Sequence, residues 1–281
     1  MHEQNPFRKD YDFKKLVHSH PQLKEFIFIN PYQKSTINFA DPKAVKSLNT
    51  ALLKLQYKIE WDLPDKNLCP PIPGRLDYLL HVSELVRKND IHLLDIGTGA
   101  SLIYPILGTC HFNWKCTASE ITESSLYNAK QIIRKNSRLE SIELRKQDQK
   151  AFILNKIIRP TDFFDVLICN PPFYRNSKEA NRQAYRKNRN LKIKEIESRN
   201  FSGIADELWC PGGEKQFIET LVKEGAKFKN QIEWFTALIS NEEHLKAIQK
   251  AIQNTKPKTL KIVQMGQGNK TSRFAAWSYL K

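Results

Sequence analysis

The residues that most directly suggest chemistry are Asn170-Pro171-Pro172-Phe173, which follow the apolar run 163–168. This run predicts a buried strand that stops abruptly, because proline lacks a backbone N–H and disfavours helix at the residue before it. Asn170 then lies at the carboxyl end of a strand, where open α/β sheets bind their ligands. An amide, a proline carbonyl and an aromatic ring suit a flat base with an exocyclic amine. An ordinary turn is the alternative.

A second group of candidate residues follows another apolar run, in the turn that contains Asp95, Gly97 and Gly99. Glycines there let the backbone approach a nucleoside-like ligand. Glu120 ends the next predicted strand, and a carboxylate at that point can accept both ribose hydroxyls of an adenosine cofactor. A dinucleotide fingerprint would have a third glycine near Ser101, so S-adenosylmethionine (SAM) is favoured over NAD. The alternatives are structural, with Asp95 capping local N–H groups and Glu120 pairing with a lysine.

Together the two groups suggest methyl transfer to an aromatic amine. The lone pair of such an amine is delocalised into the ring, so the amine is a poor nucleophile. If the Asn170 side-chain oxygen and the Pro171 carbonyl accept its N–H groups, a pyramidal and more reactive nitrogen is favoured. Phe173 would stack on the ring and orient the nitrogen. The base must first leave the base stack of its nucleic acid, or be single-stranded already.

The charge of the chain indicates a polyanionic partner. Its 281 residues include 45 Lys and Arg against 30 Asp and Glu, for a net charge of +15. Nucleic acid is the expected partner. An anionic membrane surface is the alternative, and it is disfavoured because no long amphipathic helix with a Lys/Arg face is evident. We expect no membrane span, since no stretch of about 18 apolar residues is present.

Cysteine and histidine positions bear on compartment and metal binding. The five cysteines form no Cys-x-x-Cys pair and are odd in number, which argues against a zinc ribbon or a disulfide framework. His18 and His20 are too isolated to suggest a metal site. We therefore expect a cytoplasmic protein that binds no metal.

Alternating strands and helices predict an α/β fold, a doubly wound and mainly parallel seven-stranded sheet. The predicted strands are 91–96, 115–120, 142–146, 163–169, 233–239, 260–265 and 273–280. The predicted helices of this part are 76–88, 102–108, 122–136, 214–229 and 242–253.

Residues 1–74 are expected to form a basic, helical N-terminal extension with a proline-rich linker, and residues 75–281 the catalytic domain. Helices are predicted over 10–20 and 41–57 of the extension. The prolines at 70, 71 and 73 indicate a stiff extended segment that delivers Arg75 to the next helix, since proline is disfavoured inside helices.

A long connection, residues 175–213, follows the candidate base-binding turn. It is rich in lysine and arginine with interleaved aromatic residues, which suits phosphate neutralisation and base stacking. A solvated charge run is the alternative. The candidate RNA-binding residues are Arg182, Arg186, Lys187 and Arg189 in this loop, and Arg273 near the C terminus.

Longer motifs carry a family resemblance. They are Trp61–Pro64, Leu68–Tyr78, Ala100–Pro105, Glu207–Glu214 and Gln267–Trp277, beside Asp95–Gly99 and Asn170–Phe173. With them, the chain from about Asn38 onward resembles the bacterial 23S ribosomal RNA adenine-N6 methyltransferase F family, which modifies adenine 1618. The eukaryotic methyltransferase-like 16 family, which methylates U6 small nuclear RNA, is a relative. The resemblance implies a class I SAM-dependent methyltransferase fold of the Rossmann type.

The same resemblance implies residue roles. The residues that would contact SAM are Arg75, Gly97, Ser101, Glu120 and Asn170, and those that would grip adenine are Asn170, Pro171, Pro172 and Phe173. Ala151 stands where the animal enzymes have a threonine that contacts the cofactor, and alanine cannot donate that hydroxyl. Lys150 is either close to SAM or solvated.

The sequence thus predicts methyl transfer from SAM to N6 of one adenine in 23S ribosomal RNA, either free or in a large-subunit assembly intermediate. U6 small nuclear RNA is an alternative substrate. A protein-glutamine methyltransferase shares the Asn-Pro-Pro pattern but fits the positive charge less well. A non-catalytic RNA-binding protein is a further alternative, against which the intact Asp95, Gly97, Gly99 and Asn170 argue.

Overall fold

A computed structural model describes residues 1–65, 67–176, 178–179, 208–267 and 270–281. The loop candidates Arg182, Arg186, Lys187 and Arg189 lie outside these residues, and their role stays a prediction. The α-helices are α1 (Phe13–Ser19), α2 (Pro42–Tyr57), α3 (Ile72–Val86), α4 (Ile103–Phe112), α5 (Glu123–Arg134), α6 (Gly213–Gly225) and α7 (Leu245–Asn254). The strands are β1 (Ile27–Ile29), β2 (Ser35–Ile37), β3 (His92–Ile96), β4 (Lys115–Glu120), β5 (Glu143–Lys146), β6 (Phe164–Cys169), β7 (Ile232–Ile239), β8 (Thr259–Gln267) and β9 (Lys270–Ser278).

Seven strands form one sheet in the order β5-β4-β3-β6-β7-β9-β8. The neighbours from β5 to β7 pair in parallel, whereas β9 is antiparallel to both β7 and β8. Within this sheet, the chain first forms the central strand β3 and continues outward through β4 and β5. It then returns to form β6 on the other side of β3. This reversal creates a topological switch point at the carboxyl end of β3. The predicted doubly wound, mainly parallel sheet is confirmed.

The sheet is buried on both faces, because the central strands are apolar at nearly every position. All residues of β6 are buried. Leu93 and Val166 pack into one cluster with helices α3, α4 and α5, while their neighbours Leu94 and Leu167 pack into a second cluster with α6 and α7. Successive residues of a strand point to opposite faces, so the two helical layers hold the sheet between them.

The prediction of an extended segment up to Arg75 is wrong, because α3 already begins at Ile72. Pro71 is its N-cap residue and Pro73 lies in its first turn. The first N–H groups of a helix have no partner within the helix, so proline costs little at that position. Arg75 is therefore held by a helical turn.

The N-terminal segment forms its own small core against α2. Leu16, Leu23, Ile37 and Leu48 are buried together there. The hairpin of β1 and β2, which the sequence did not predict, is antiparallel and short. The C-terminal part of α2 joins the cluster on the sheet through Leu53. In the described part of the chain, no helix combines the length and hydropathy needed to cross a membrane.

Candidate active site

The register of three neighbouring strands brings the candidate residues to one edge of the sheet. Ile96 at the end of β3 pairs with Ser119 of β4 and with Cys169 of β6. Glu120 and Asn170 each follow one of these partners directly, so both lie beside the glycine turn that follows Ile96. The switch point therefore collects the two groups of residues that the sequence singled out.

The glycine turn after β3 is open towards solvent. The backbone N–H groups of Gly97 and Thr98 both donate to the Ser119 carbonyl at 3.0 Å, which fixes the turn on β4. Gly97 has φ of 72°, a conformation that side chains other than glycine disfavour. Among the described residues, a Cβ built at Gly97 would meet no atom within 4 Å, so this part of the structure leaves the backbone accessible to a ligand.

The Glu120 carboxylate is held by backbone N–H groups around this turn. One oxygen accepts from Gly99 at 2.8 Å, and the other accepts from Ile121 and Thr122, both at 2.8 Å. Charge-assisted hydrogen bonds of this kind fix a carboxylate firmly. Glu120 is thus fixed at the strand end, where the sequence predicted a ribose contact.

Asp95 is buried just below the turn, and neither carboxylate oxygen has a hydrogen-bond partner among the described residues. Burial raises the pKa of Asp95 to about 7; the Glu120 charge acts in the same direction, and the Thr98 hydroxyl and the Arg75 guanidinium oppose it. A buried carboxylate without a partner is costly unless a ligand compensates it. A cationic group such as the ammonium of SAM would supply the missing partner.

Arg75 reaches the same edge from the first turn of α3. Its guanidinium donates to the Tyr104 hydroxyl at 3.0 Å and lies 5.6 Å from the centre of that ring. Burial raises the pKa of Tyr104 to about 12, so its hydroxyl stays protonated. Because a guanidinium has five N–H donors, Arg75 can also bind a ligand carboxylate.

Asn170 and the next residues leave β6 in an extended path. Pro171 is buried, whereas Asn170, Pro172 and Phe173 are partly exposed. Tyr174 continues the path, donating its N–H to Leu208 and accepting from the N–H of Cys210, both at 3.0 Å. The turn is thus held by β6 before it and by the hydrogen bonds of Tyr174 after it. The Asn170 amide and the Phe173 ring remain partly exposed beyond the end of β6.

A close backbone contact ties α6 to this turn. A Cβ built at Gly213 would lie 3.0 Å from Cγ of Arg175 and 3.4 Å from the carbonyl carbon of Tyr174, and φ there is 68°. Glycine at the start of α6 therefore lets the helix approach the chain just beyond Phe173.

Several positioning residues were not identified from the sequence as site residues. The Trp61 indole N–H donates to the Ser101 carbonyl at 2.9 Å, and the Asn128 amide donates to the Ala100 carbonyl at 2.8 Å. The Tyr78 hydroxyl lies 2.6 Å from the Thr236 hydroxyl, under the end of β6. Trp61 and Tyr78 belong to the family motifs Trp61–Pro64 and Leu68–Tyr78, and no other feature of the sequence indicated that they support the site.

The remaining predicted residues fall around this edge or outside the described part of the chain. Ser101 is 8% exposed, in the loop beyond the glycine turn. Arg273 on β9 lies opposite Ile239 and forms an ion pair of 3.4 Å with Glu242. Lys150 and Ala151 are both exposed. The sheet thus brings the cofactor candidates together with Asn170.

A sheet with this strand order and one antiparallel strand, with an open glycine turn and an acidic residue at the switch point, defines a class I SAM-dependent methyltransferase. The family model described as RNA methyltransferase matches residues 1–281, and the chain belongs to that family. The ribosomal RNA large subunit methyltransferase F of Vibrio campbellii is 42% identical over 310 residues, covering 100% of this chain and 80% of that protein.

Solved structures of a human relative agree with this assignment. The human METTL16 catalytic domain in complex with the MAT2A 3′UTR hairpin 1 is 27% identical, with a TM-score of 0.85, and the match covers 99% of this chain and 95% of that one. The N-terminal domain of human METTL16 in complex with SAH is 25% identical, with a TM-score of 0.80, and coverage of 99% and 98%. The predicted family, the fold, the cofactor SAM and the assignment as an RNA methyltransferase are confirmed.

Proposed function

We propose that the protein transfers a methyl group from SAM to N6 of an adenine in large-subunit ribosomal RNA. The observation that carries the proposal is the position of Asn170, at the end of β6, beside the glycine turn and Glu120, on a chain that shares 42% identity with a ribosomal RNA large subunit methyltransferase F. By the same resemblance the target is adenine 1618 of 23S ribosomal RNA.

The binding of SAM would use groups of three kinds. Arg75 would pair with the carboxylate of the methionine part, and Asp95 with its ammonium. Glu120, fixed by backbone N–H groups, would accept the ribose hydroxyls. Gly97 and Gly99 would allow the backbone to approach, and Ser101 would close the loop. When bound, SAM supplies a methyl group on a positively charged sulfur, so the reaction needs no metal ion.

The Asn170 turn would position the base. The Asn170 amide oxygen and the Pro171 carbonyl would each accept an N–H of the adenine amine, and Phe173 would stack on the ring. Pro172 limits the conformations of the turn, so these groups are preorganised. The contribution is one of orientation and electrostatics, since no strong base is needed before the methyl group moves.

RNA contacts are assigned to the N-terminal extension 1–74, to the basic loop 175–213 and to Arg273. The net charge of +15 supports this assignment. Arg182, Arg186, Lys187 and Arg189 would neutralise phosphates of the RNA. Residues 75–281 would form the catalytic domain, and a cytoplasmic location follows from the proposed substrate.

The RNA contact can be tested by reversing charge in the loop. Replacement of Arg186, Lys187 and Arg189 by glutamate should weaken RNA binding and flatten its salt dependence. The matched control replaces Lys223 near the end of α6, and Lys227 and Lys229 just beyond it, in the same way; all three residues are exposed. If both triple variants lose affinity equally, the loop makes no specific contact.

The reaction itself is tested with tritiated SAM. The protein is incubated with protein-free 23S ribosomal RNA or with large-subunit precursor particles, and the RNA is digested to nucleosides. Label in N6-methyladenosine is expected, and mapping of the site tests the assignment to adenine 1618. Label in another nucleoside, or in protein, would contradict the proposal.

The similarity to a human METTL16 structure bound to an RNA hairpin favours a second candidate, methylation of a structured non-ribosomal RNA. U6 small nuclear RNA is the specific form of this candidate. The two candidates are separated by comparing kcat/KM for the ribosomal and the U6 substrate under the same conditions.

A further inference from the structure

Three side chains with metal-binding groups meet on the outer part of α3, about two turns beyond Arg75. They are His2 from the N-terminal segment and His81 and Glu84 from α3, and their ligand atoms all lie within 4.8 Å of one another. Among the described residues, no other such group of three was found. Nothing in the proposed methyl transfer uses them.

The helix presents its acidic and imidazole groups along one face. Asp77, His81 and Glu84 are spaced by four and three residues, so their side chains project from the same side of α3. The Asp77 carboxylate lies 3.9 Å from Nε2 of His81, and the Glu84 carboxylate lies 2.9 Å from Nε2 of His2. Two imidazoles therefore face two carboxylates.

Hydrogen bonds to α3 hold the N-terminal segment and thereby keep the His2 imidazole in this position. The backbone N–H of His2 donates to Asp77 at 2.6 Å. The Asn5 amide donates to the Pro73 carbonyl at 2.9 Å and to Asp77 at 3.3 Å. The His2 side chain is only 8% exposed. A site whose ligands are oriented by surrounding hydrogen bonds loses little entropy when it binds an ion.

We propose that His2, His81 and Glu84 bind a divalent transition-metal ion of the zinc type, with Asp77 or water completing the coordination. Imidazole nitrogen with carboxylate oxygen is a donor set that zinc accepts, whereas calcium and magnesium prefer oxygen alone. Ligand atoms around zinc lie about 3.4 Å apart. The Glu84 side chain, 64% exposed, is free enough to make the small adjustment required.

The ion would connect the N-terminal segment to α3. The first turn of α3 carries Arg75, so the ion would also stabilise the helix that presents a cofactor ligand. The competing explanation is that the hydrogen bond between His2 and Glu84 holds the segment by itself. The two explanations differ in whether zinc binds and in which residues it needs.

Zinc binding is measured on the full chain without a histidine tag, after treatment with chelator, by competition with a chromophoric chelator. The wild-type protein should bind zinc stoichiometrically. Glu84→Gln, His2→Gln and His81→Gln should each weaken binding by about 100-fold or more. The matched control is His18→Gln, which removes an exposed imidazole of α1 outside the cluster. Absence of stoichiometric binding, or equal affinity in all variants, would overturn the proposal.

Cobalt(II) substitution distinguishes the cluster from the cysteines, two of which, Cys69 and Cys210, are partly exposed. Ligation by nitrogen and oxygen gives visible bands without a thiolate charge-transfer band in the near ultraviolet. Zinc should also raise the Tm of the wild type but not that of Glu84→Gln, whose exposed position leaves the fold intact. A thiolate band, or an equal rise of Tm in both proteins, would show that the ion binds elsewhere.

Discussion

The indole N–H of Trp61 donates a hydrogen bond of 2.9 Å to the backbone carbonyl of Ser101, joining the segment before α3 to the loop that follows the glycine turn. The contact is buried, and Trp61 itself is 4% exposed. A residue outside the sheet thus fixes the backbone at which we propose that SAM binds.

Loss of this hydrogen bond should weaken cofactor binding. Trp61→Phe keeps an aromatic ring but removes the donor, leaving the Ser101 carbonyl buried without its partner. We expect the Kd for SAM to rise by about 10-fold. Isothermal titration calorimetry measures it, with Trp114→Phe as the control, because Trp114 is buried at the opposite end of β4. If both replacements raised the Kd for SAM equally, the hydrogen bond between Trp61 and Ser101 would have no specific role in cofactor binding.

The acceptor geometry of Glu120 predicts sensitivity to an isosteric change. Glu120→Gln replaces one oxygen by an amide nitrogen, which then faces an N–H of Gly99 or of Ile121 and Thr122. The Kd for SAM should rise by about 100-fold, since both the turn and the proposed ribose contact are disturbed. Glu123→Gln alters an exposed carboxylate in α5 and should leave Kd unchanged. A Glu120→Gln protein with wild-type affinity would exclude the assigned role.

The raised pKa of Asp95, about 7 instead of 3.8, predicts a pH-dependent stability of the ligand-free protein. Because the pKa is higher in the folded state, protonated Asp95 stabilises the fold at low pH. This contribution is lost as pH rises from about 4 to about 7. Across that window the free energy of unfolding of Asp95→Asn should improve relative to wild type by up to about 4 kcal/mol.

Urea unfolding below, within and above that window measures this change. The control is Asp148→Asn, which removes an exposed carboxylate. If the free energy of unfolding changes with pH in the same way for wild type and Asp95→Asn, the pKa of Asp95 is the same in the folded and unfolded states. That result would contradict the prediction.

The close contact at Gly213 predicts a variant that separates catalysis from cofactor binding. Gly213→Ala places a Cβ 3.0 Å from Arg175 and forces φ of 68° on alanine, at a cost of about 1–2 kcal/mol. Displacement of the chain after Phe173 should lower kcat by about 10-fold or more with little change in the Kd for SAM. In Gly266→Ala the new Cβ would meet a single neighbour among the described residues, the Met1 nitrogen at 4.0 Å, so this control should keep full activity.

The sheet could be predicted because its strands are apolar runs bounded by turn residues. The run ending at Cys169 is buried at every position from Phe164, as expected. The helix α3 begins earlier than the sequence predicts, because proline disrupts a helix interior but fits the first turn of a helix. The hairpin with Phe28 and Ile29 was missed because both side chains are exposed and its strands are too short to show alternation.

Contacts between distant parts of the chain leave no periodic signal, and they account for what remained unpredicted at the site. Trp61 and Ser101 are 40 positions apart, and His2 and Glu84 come together only when the N-terminal segment folds onto α3. The sequence singled out Asp95, Glu120 and Asn170 because each lies at or next to the end of a strand, and parallel strands end at one edge. The residues that hold them in place required the structure.

The proposed base-binding turn is tested most directly by single-turnover methyl transfer from tritiated SAM to 23S ribosomal RNA, catalysed by the Asn170→Ala variant at saturating SAM. The transfer rate should fall by about 100- to 1000-fold, while RNA affinity stays close to wild type. Asn254→Ala, which removes an exposed asparagine at the C-terminal end of α7, is the matched control and should react normally. Transfer by Asn170→Ala at the wild-type rate would contradict the assignment of the base-binding turn.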